Sequence, residues 1–406
     1  MRLRSAKISS TNYNYQFFKA FPVCMNIKTP SSPQNFFGAT ELQLKDFFSE
    51  WKEQAYRVHQ VFTWVYHHHC RDFNEMSNLS KSLRSKLAEK FYFALPKIQS
   101  RTHSKDGSIK YLFELDDGAV VESVWMPSES RNTLCLSTQV GCRLNCSFCL
   151  TASLGLKRNL TAGEIIGQHL AINGELEEKE QITNVVFMGM GEPLDNYGPV
   201  VDALRLMISP QAMKISTRKV TVSTSGLVGK MKEFQEEGLA INLAISLNAS
   251  DNATRDQLMP INKKYPIEVL MDCLKKYPLK PQRRHTIEYV LLAGINDSDE
   301  DAQRLAKWLK GIPCKINLIP FNAFDSSEYK PPTSERVLNF QNYLIEQNFS
   351  AFIRQNRATD ILGACGQLAA TQRDAGPSTA LTKEQTEPSS ARDILPKSSC
   401  PGGVIL

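Results

Sequence analysis

The sequence lacks any apolar run approaching the roughly 18 to 20 residues that a membrane-spanning helix requires, which excludes a membrane-spanning protein. Its composition is also richer in apolar residues than that of a disordered chain. Of its 406 residues 42% are hydrophobic, with 20 Phe, 12 Tyr and 4 Trp, enough to bury a large core. At roughly 100 to 200 residues per domain, the length predicts two or three folded units.

Acidic residues are missing from residues 1–40, which carry five basic residues. We predict a flexible N-terminal extension here, and two interpretations of it stay open. An organelle transit peptide is acid-poor in this way. Alternatively, Met25 is the start site and the Pro/Ser-rich residues 30–33 form a linker. The segment between the two ends is close to neutral, so any nucleic-acid binding has to come from local basic patches.

Apolar residues are also scarce from Thr371 onward, where Pro, Ser and Gly recur, so residues 371–406 are predicted to be a disordered tail. In residues 41–105 apolar residues recur at helical spacing, which predicts a helical accessory domain. Residues 106–131 alternate around Asp117-Gly118 and predict a connecting β-hairpin that acts as a linker.

Residues 132–370 alternate short β-branched runs with amphipathic segments. This rhythm predicts a parallel sheet curled into a partial (β/α)6 barrel, in which the chemistry lies at the carboxyl ends of the strands. The predicted strands are 133–139, 183–189, 218–224, 241–247, 286–292 and 315–320. The predicted helices are 162–173, 197–208, 229–237, 266–276, 297–310 and 334–347.

The ten cysteines do not form a regular disulfide framework, which favours metal binding and catalysis in a reducing compartment, the cytosol. Three of them, Cys142, Cys146 and Cys149, have the spacing CxxxCxxC in the loop after the first barrel strand. A closed structural zinc site has four protein ligands, whereas three thiolates leave one position open for a substrate or cofactor. We therefore favour a [4Fe-4S] cluster with one open iron over a zinc site completed by a distant residue.

Seven further ordered segments accompany GCRLNCSFC, namely RNLTAGEIIGQ, ITNVVFMGMGEPLDN, VTVSTSG, LAISLNA, PINKKYPIE, CKINLIPFN and ACGQLA. Over about residues 41–370 the chain resembles the radical S-adenosylmethionine (SAM) superfamily, and within it the RNA adenine-C2 methyltransferases of the RlmN type. The resemblance implies a [4Fe-4S] cluster and SAM. It further implies methylation of carbon 2 of adenosine in 23S rRNA, in the peptidyl transferase region, and in tRNA next to the anticodon. A reductase or flavodoxin-type protein would donate electrons, and the helical domain would bind RNA.

The resemblance also assigns catalytic residues. Cys365 matches the cysteine that carries the methyl group, and Cys135 matches the one that resolves the enzyme–RNA adduct by forming a disulfide with it. Glu122 matches the general base. Without this context, a lone cysteine is more often a small buried apolar residue, and Glu122 would more often be a solvated surface carboxylate.

The same resemblance implies the SAM contacts. Gly191 and Glu192 would contact the methionyl amine, Ser223 the carboxylate side, Ser246, Leu247 and Asn248 the ribose, and Asn322 the adenosyl group. One departure is visible, since the family usually has His where this chain has Asn248. Asparagine keeps the hydrogen-bonding capacity of that position but not a protonation role.

Two alternatives remain open on sequence. A Cfr-like methyltransferase of adenine carbon 8 shares the cluster and both reacting thiols. A zinc-dependent RNA-binding module without catalysis would use the cysteines and the local basic patches alone. These patches are Lys81, Arg84, Lys86 and Lys90; Lys157 and Arg158; and Lys275, Lys276, Lys280, Arg283 and Arg284.

Overall fold

The computed structural model describes residues 33–370. Most of the predicted N-terminal extension and the whole predicted tail lie outside the described residues. Within them, the main element is a ten-stranded mixed sheet. The α-helices lie between its strands in the sequence. In this part of the chain no helix is both long and apolar enough to cross a membrane.

The strands follow one another across the sheet in chain order. We number them β1 (Lys97–His103), β2 (Ile109–Glu114), β3 (Val120–Met126), β4 (Thr133–Cys135), β5 (Asn184–Phe187), β6 (Val220–Thr224), β7 (Asn242–Ser246), β8 (His285–Leu291), β9 (Cys314–Pro320) and β10 (Ala351–Ile353). Strands β1 to β4 pair antiparallel, and β4 to β10 pair parallel. Among the described residues β1 and β10 form the two free edges, so the parallel part is an open, partial barrel.

The α-helices are α1 (Glu41–Glu50), α2 (Arg57–Phe62), α3 (Lys81–Lys90), α4 (Ala162–Asn173), α5 (Tyr197–Ile208), α6 (Val228–Glu236), α7 (Asn252–Leu258), α8 (Ile267–Lys276), α9 (Asp299–Leu309) and α10 (Ser334–Glu346). All six predicted barrel helices are present within two residues of their expected bounds. All six predicted strands are present as well, although the first is shorter and ends at Cys135. The predicted partial (β/α)6 fold is confirmed.

The predicted hairpin is present but is more than a linker. Its second strand, β3, pairs with β4 through Val124 and Cys135, so the hairpin extends the barrel sheet. A further strand, β1, lies at the outer edge in a stretch where helical structure was predicted. Strand β1 is polar and mostly exposed, and it therefore shows none of the apolar alternation that marks a half-buried strand.

The N-terminal helices pack around an aromatic cluster. The ring of Phe36 contacts those of Phe62, Phe73, Phe91 and Phe93. The Ser80 side chain accepts a hydrogen bond from the Leu83 backbone N–H and caps the start of α3. The unit sits directly on α4, since a Cβ placed on Gly38 would lie 2.7 Å from the Gly163 nitrogen. Only glycine allows this close approach.

Candidate active site

A cavity of about 150 Å³ opens where the parallel strands end. Its wall brings together residues from nine separate segments of the chain, which fits a site at the carboxyl ends of barrel strands. Of the predicted site residues, those in the wall are Cys142, Cys146, Cys149, Gly191, Glu192, Ser223, Ser246, Asn248, Asn322 and Cys365.

The loop that carries the three clustered cysteines is tied down by backbone hydrogen bonds. Cys142 N–H donates to the carbonyl of Gly155 over 3.1 Å, and Cys149 N–H donates to that of Cys146 over 3.2 Å. Leu150 N–H donates to the carbonyl of Gly366 over 2.7 Å, so the loop also holds the segment that contains Cys365. The cysteine loop and the Cys365 segment therefore form one connected wall.

Burial raises the pKa of the Cys142 thiol to about 12 and the pKa of Cys146 well above its usual value; neighbouring thiols add to both shifts. Thiolates are the form that binds iron, so the charged trio needs a cationic centre to compensate it. Within residues 33–370 no three His, Cys, Asp or Glu side chains are arranged around a single ion. Three thiols from one loop line the cavity together, which fits the three protein ligands of a cluster with one open iron.

Gly191 and Glu192 form the turn after β5. Gly191 has φ +98°, and a Cβ there would lie 2.5 Å from the Gln139 side chain. The Glu192 carboxylate accepts hydrogen bonds from Leu194 N–H (3.1 Å) and Ser225 N–H (2.8 Å), which links the ends of β5 and β6. Burial raises the pKa of Glu192 to about 6. A buried carboxylate of this kind is suited to accept a hydrogen bond from an ammonium group.

Hydroxyl and amide groups continue the wall along β6 and β7. The hydroxyls of Ser223 and Ser246 lie 3.5 Å apart. Asn248 adopts a left-handed backbone with φ +55°, which asparagine tolerates better than most residues. Its Oδ1 accepts from Val290 N–H over 2.9 Å. The departure from His is thus compatible with an ordered turn at this point.

Two buried oxygen atoms in the wall have no hydrogen-bond partner in the described part of the chain, Oδ1 of Asn322 and Oε2 of Glu288. Asn322 uses its other side-chain atom, Nδ2, to donate to the Cys365 carbonyl over 3.2 Å. Unsatisfied buried acceptors are costly, and a ligand that donates hydrogen bonds would satisfy them. This cavity therefore fits a polar ligand such as SAM beside the three cysteines.

Cys135 lies in the wall of a second, smaller cavity of about 30 Å³ that adjoins the first. Cys365, Arg354, Met188, Asn322 and Ile319 line both cavities. Burial, with a smaller contribution from the nearby Cys365, raises the pKa of the Cys135 thiol to about 12. The structure thus places Cys365 between the three clustered cysteines on one side and Cys135 on the other.

Two predicted site residues lie elsewhere. The Leu247 side chain is fully buried in the core and only its neighbours face the cavity. Glu122 is buried in a separate groove, where one carboxylate oxygen lies 2.8 Å from Lys110 Nζ and the other accepts from Ala369 N–H over 2.9 Å. Glu122 is therefore joined to the Cys365 segment through Ala369 but does not line either cavity.

Sequence reasoning missed three charged residues at the site. Glu288 lies in the apolar strand β8 and Arg354 directly follows β10. Arg255 lies on α7, a short helix without an apolar stripe, and its side chain is fully buried. The sequence did contain a signal for Glu288 and Arg354, because each is a charged residue inside or beside an apolar strand.

Arg255 joins the strand ends that carry the serine residues. Its guanidinium and Nε donate to the carbonyls of Leu247 (3.0 Å) and Ser225 (2.8 Å), and to Oδ1 of Asn262 (3.0 Å). The Leu247 carbonyl and Asn262 Oδ1 are buried, and all three acceptors would lose this partner if the arginine were removed.

We expect Arg255→Met to lower the free energy of unfolding by about 3 kcal/mol or more, because several buried acceptors would each lose a hydrogen bond. Urea unfolding followed by circular dichroism measures this. Arg218→Met, at an exposed position, is the control and should change stability by no more than about 0.5 kcal/mol. Equal stability of the two variants would contradict the role of Arg255.

Several predicted phosphate-binding residues are engaged within the protein. Arg158 forms ion pairs with Asp117 (2.6 Å) and Glu164 (2.8 Å). Arg283 donates to the carbonyl of Ala240 over 3.2 Å. Lys157, beside the cysteine loop, is exposed. The basic patches are therefore smaller than the sequence alone suggested.

Comparison with known proteins shows which proteins the chain is similar to. Residues 34–93 match the ribosomal RNA large subunit methyltransferase N-terminal domain, and residues 136–306 match the radical SAM superfamily. The dual-specificity RNA methyltransferase RlmN of Desulfosudis oleivorans is 47% identical over 83% of this chain and 91% of its own length. That of Geobacter sulfurreducens is 44% identical over 80% and 89%.

A solved structure agrees with these relatives. The crystal structure of a radical SAM methyltransferase from Sphaerobacter thermophilus is 38% identical, covers 83% of this chain and 99% of its own, and superposes with a TM-score of 0.76. The superfamily match confirms the predicted cofactors, a [4Fe-4S] cluster and SAM. The chain is an enzyme that belongs to the RlmN family of radical SAM RNA methyltransferases.

Proposed function

We propose that this enzyme methylates carbon 2 of adenosine in 23S rRNA and in tRNA next to the anticodon, through a methyl-cysteine intermediate. The observation that carries the proposal is the position of Cys365, which lines both the cavity of the clustered cysteines and the cavity of Cys135. A thiol that reaches both cavities is suited to receive a methyl group in one cavity and to be freed from the adduct by the thiol in the other.

Carbon 2 of adenine is electron-poor and does not attack a sulfonium methyl group, so the reaction requires radical chemistry. The cluster and SAM supply that chemistry, and Cys142, Cys146 and Cys149 would hold the cluster. Glu192 would accept hydrogen bonds from the methionyl amine. Ser223, Ser246 and Asn322 would orient the remainder of SAM.

Three residues would handle the methyl group and the adduct. Cys365 accepts the methyl group, and the hydrogen bond between Asn322 and its carbonyl fixes its backbone. Cys135 breaks the bond between Cys365 and the product. Glu122 would act as the general base; since it lines neither cavity, it would act through a movement of the Cys365 segment, to which Ala369 links it.

The name of the relatives, dual-specificity RNA methyltransferase, supports the proposal of two RNA substrates. The N-terminal helices, within the match at residues 34–93, would bind the RNA. The cluster would be reduced by a reductase or a flavodoxin-type protein, and the reducing environment that the thiols require favours a cytoplasmic location.

Nucleoside analysis tests the proposal. Purified, cluster-loaded enzyme is incubated without oxygen with SAM, a reductant and either 23S rRNA or tRNA from a strain lacking the activity. Mass spectrometry of the digested RNA should show 2-methyladenosine in both. Methylation at carbon 8 would instead indicate the Cfr-like activity, and unmodified RNA would contradict the proposal.

Cys365→Ala should retain the cluster and the fold but produce no methylated RNA, because the sulfur that accepts the methyl group is missing. Iron content, thermal unfolding and nucleoside analysis measure the three properties. The activity loss should exceed about a thousandfold, as for loss of an essential nucleophile. Methylated RNA from this variant would overturn the methyl-cysteine intermediate.

A further inference from the structure

Cys365 lies in a four-residue turn, residues 364–367, which we call the carrier turn. Gln367 N–H donates to the Ala364 carbonyl over 3.0 Å and closes the turn. Gly366, the third residue, has φ +83°, a conformation that glycine adopts without steric cost. The buried Gln367 side chain closes the turn a second time, because its Oε1 accepts from Ala364 N–H over 3.2 Å. The direction of the Cys365 sulfur therefore depends on what holds this turn in place.

The cysteine loop contacts the carrier turn and the residue after it. Leu150 N–H donates to the Gly366 carbonyl over 2.7 Å, and the Thr151 hydroxyl donates to the Leu368 carbonyl over 2.5 Å. Thr151 and Leu368 are each only 4% exposed, so water does not compete for this hydrogen bond. Thr151 lines the larger cavity and Leu368 the smaller one. The Thr151 hydrogen bond therefore joins the walls of the two cavities that contain the reacting thiols.

We propose that Thr151 is a positioning residue for the methyl-carrying thiol, because its hydroxyl ties the carrier turn to the cysteine loop once the cluster holds that loop. The proposal rests on the function proposed above. Binding of a metal centre orders the backbone that supplies its ligands. Thr151 is two residues after Cys149, a proposed ligand of the cluster, and it passes that order on to the turn.

The carrier turn and its neighbours are also held from the side of the sheet. Asn322, which follows β9, donates to the Cys365 carbonyl over 3.2 Å. Glu122 on β3 accepts from Ala369 N–H over 2.9 Å. Neither Asn322 nor Glu122 belongs to the cysteine loop, so both contacts should be equally strong with and without the cluster. The Thr151 contact starts from the loop and is made by a side chain, so a substitution can remove it.

The position of the turn matters for the first step of the proposed reaction. In that step the Cys365 sulfur takes the methyl group from the sulfonium of SAM, loses its proton to solvent and leaves S-adenosylhomocysteine. The attacking sulfur has to be aligned with the bond that breaks, and a misplacement of about 1 Å can slow such a step about a hundredfold. Loss of the Thr151 hydroxyl should therefore slow methylation of Cys365 without weakening the binding of SAM.

Hydrogen exchange of residues 364–370, followed by mass spectrometry on the anaerobic enzyme with and without its cluster, tests the coupling. Loading the cluster should slow this exchange in the wild type. Thr151→Val should make exchange in the loaded enzyme about tenfold faster, the effect of one lost buried hydrogen bond. Thr151→Ser keeps the hydroxyl and should restore the slow exchange. Equal exchange in the loaded and cluster-free wild type would overturn the proposal, even where Thr151→Val fails to fold.

Ser153→Ala is the matched control. The Ser153 hydroxyl belongs to the same loop, is exposed and donates to the Leu150 carbonyl over 2.7 Å, within the loop itself. Its removal takes away one hydroxyl of the loop without touching the carrier turn. Ser153→Ala should therefore leave the exchange of residues 364–370 unchanged, and an increase equal to that of Thr151→Val would contradict a specific role of Thr151.

Mass spectrometry of the peptide that contains Cys365 measures its methylation by saturating SAM in the cluster-loaded enzyme without RNA. Thr151→Val should slow methylation at least about tenfold and change the dissociation constant of SAM by less than about twofold, and Thr151→Ser should recover most of the rate. A normal rate in Thr151→Val would overturn the proposal. A wild-type enzyme whose Cys365 is never methylated would instead refute the proposed function, while the exchange measurement still decides whether Thr151 couples the loop to the turn.

Discussion

Replacement of Cys146 with alanine should leave the purified protein colourless and unable to cleave SAM. The same result is expected for Cys142→Ala and Cys149→Ala. Each of the three thiols lines the same cavity, and we expect all three to be the ligands that hold the cluster of this radical SAM enzyme. A site with one ligand removed has no nearby replacement, since Cys135 is in the adjacent cavity and Cys365 is required for the methyl group.

The measurements are iron and sulfide content, the visible absorption of the reconstituted protein and the formation of 5′-deoxyadenosine from SAM under reducing conditions. The loss should be complete within detection. Cys273→Ala is the matched control, because Cys273 is a buried thiol on helix α8 that lines neither cavity. It should retain iron and cleavage. Full iron content and normal cleavage in Cys146→Ala would refute the assignment of the cluster ligands.

The barrel was predictable because its signals are local. Parallel strands buried on both faces read as short β-branched runs, and the helices between them carry an apolar stripe. Strand β8 and helix α10, for example, appear within a residue or two of their predicted bounds. The edge strand β1 was missed because a polar, exposed strand lacks that pattern. Its structure depends on pairing with β2, which is a tertiary effect.

The candidate site also has a part that the sequence could predict and a part that it could not. The clustered cysteines are close in sequence, so their proximity in space is nearly assured by the loop itself. Arg354 and Glu288 come from different strands, 66 positions apart, and are joined only when β8, β9 and β10 align. Sequence spacing cannot show such a pairing. The separation of Glu122 from the cavities is likewise set by the register between β2 and β3, which places its carboxylate beside Lys110.

The structure favours Cys135 for the resolving role over Cys314, another buried thiol of the sheet. Cys314 is the first residue of β9, whereas Ile319, near the carboxyl end of that strand, lines the cavities. Strand β9 rises about 3.3 Å per residue, so Cys314 lies roughly 16 Å from that end. Cys135 lines the same small cavity as Cys365. Of these two thiols, Cys135 is the one that lies near the carrier sulfur.

Cys135→Ala should therefore allow methyl transfer to Cys365 and addition to the base, and then stall with RNA bound covalently. Once the methylene bridge joins Cys365 to adenine, release requires the bond between sulfur and carbon to break. In the proposed sequence this occurs when Cys135 forms a disulfide with Cys365. Without that thiol the bond between sulfur and carbon is not broken. The variant should therefore copurify with RNA and release product at least about a thousandfold more slowly.

Gel electrophoresis under denaturing conditions measures the adduct as a heavier protein band that nuclease trims to a narrow species. Mass spectrometry of the digested band should locate the nucleotide on Cys365. Cys314→Ala is the matched control, a buried thiol on the same sheet that lies away from both cavities, and it should give neither the band nor the loss of turnover. In the double variant Cys135→Ala/Cys365→Ala the band should disappear, because the carrier sulfur that forms the bridge is gone. Normal turnover of Cys135→Ala without trapped RNA would return Cys135 to the role of a strand residue packed beside the site.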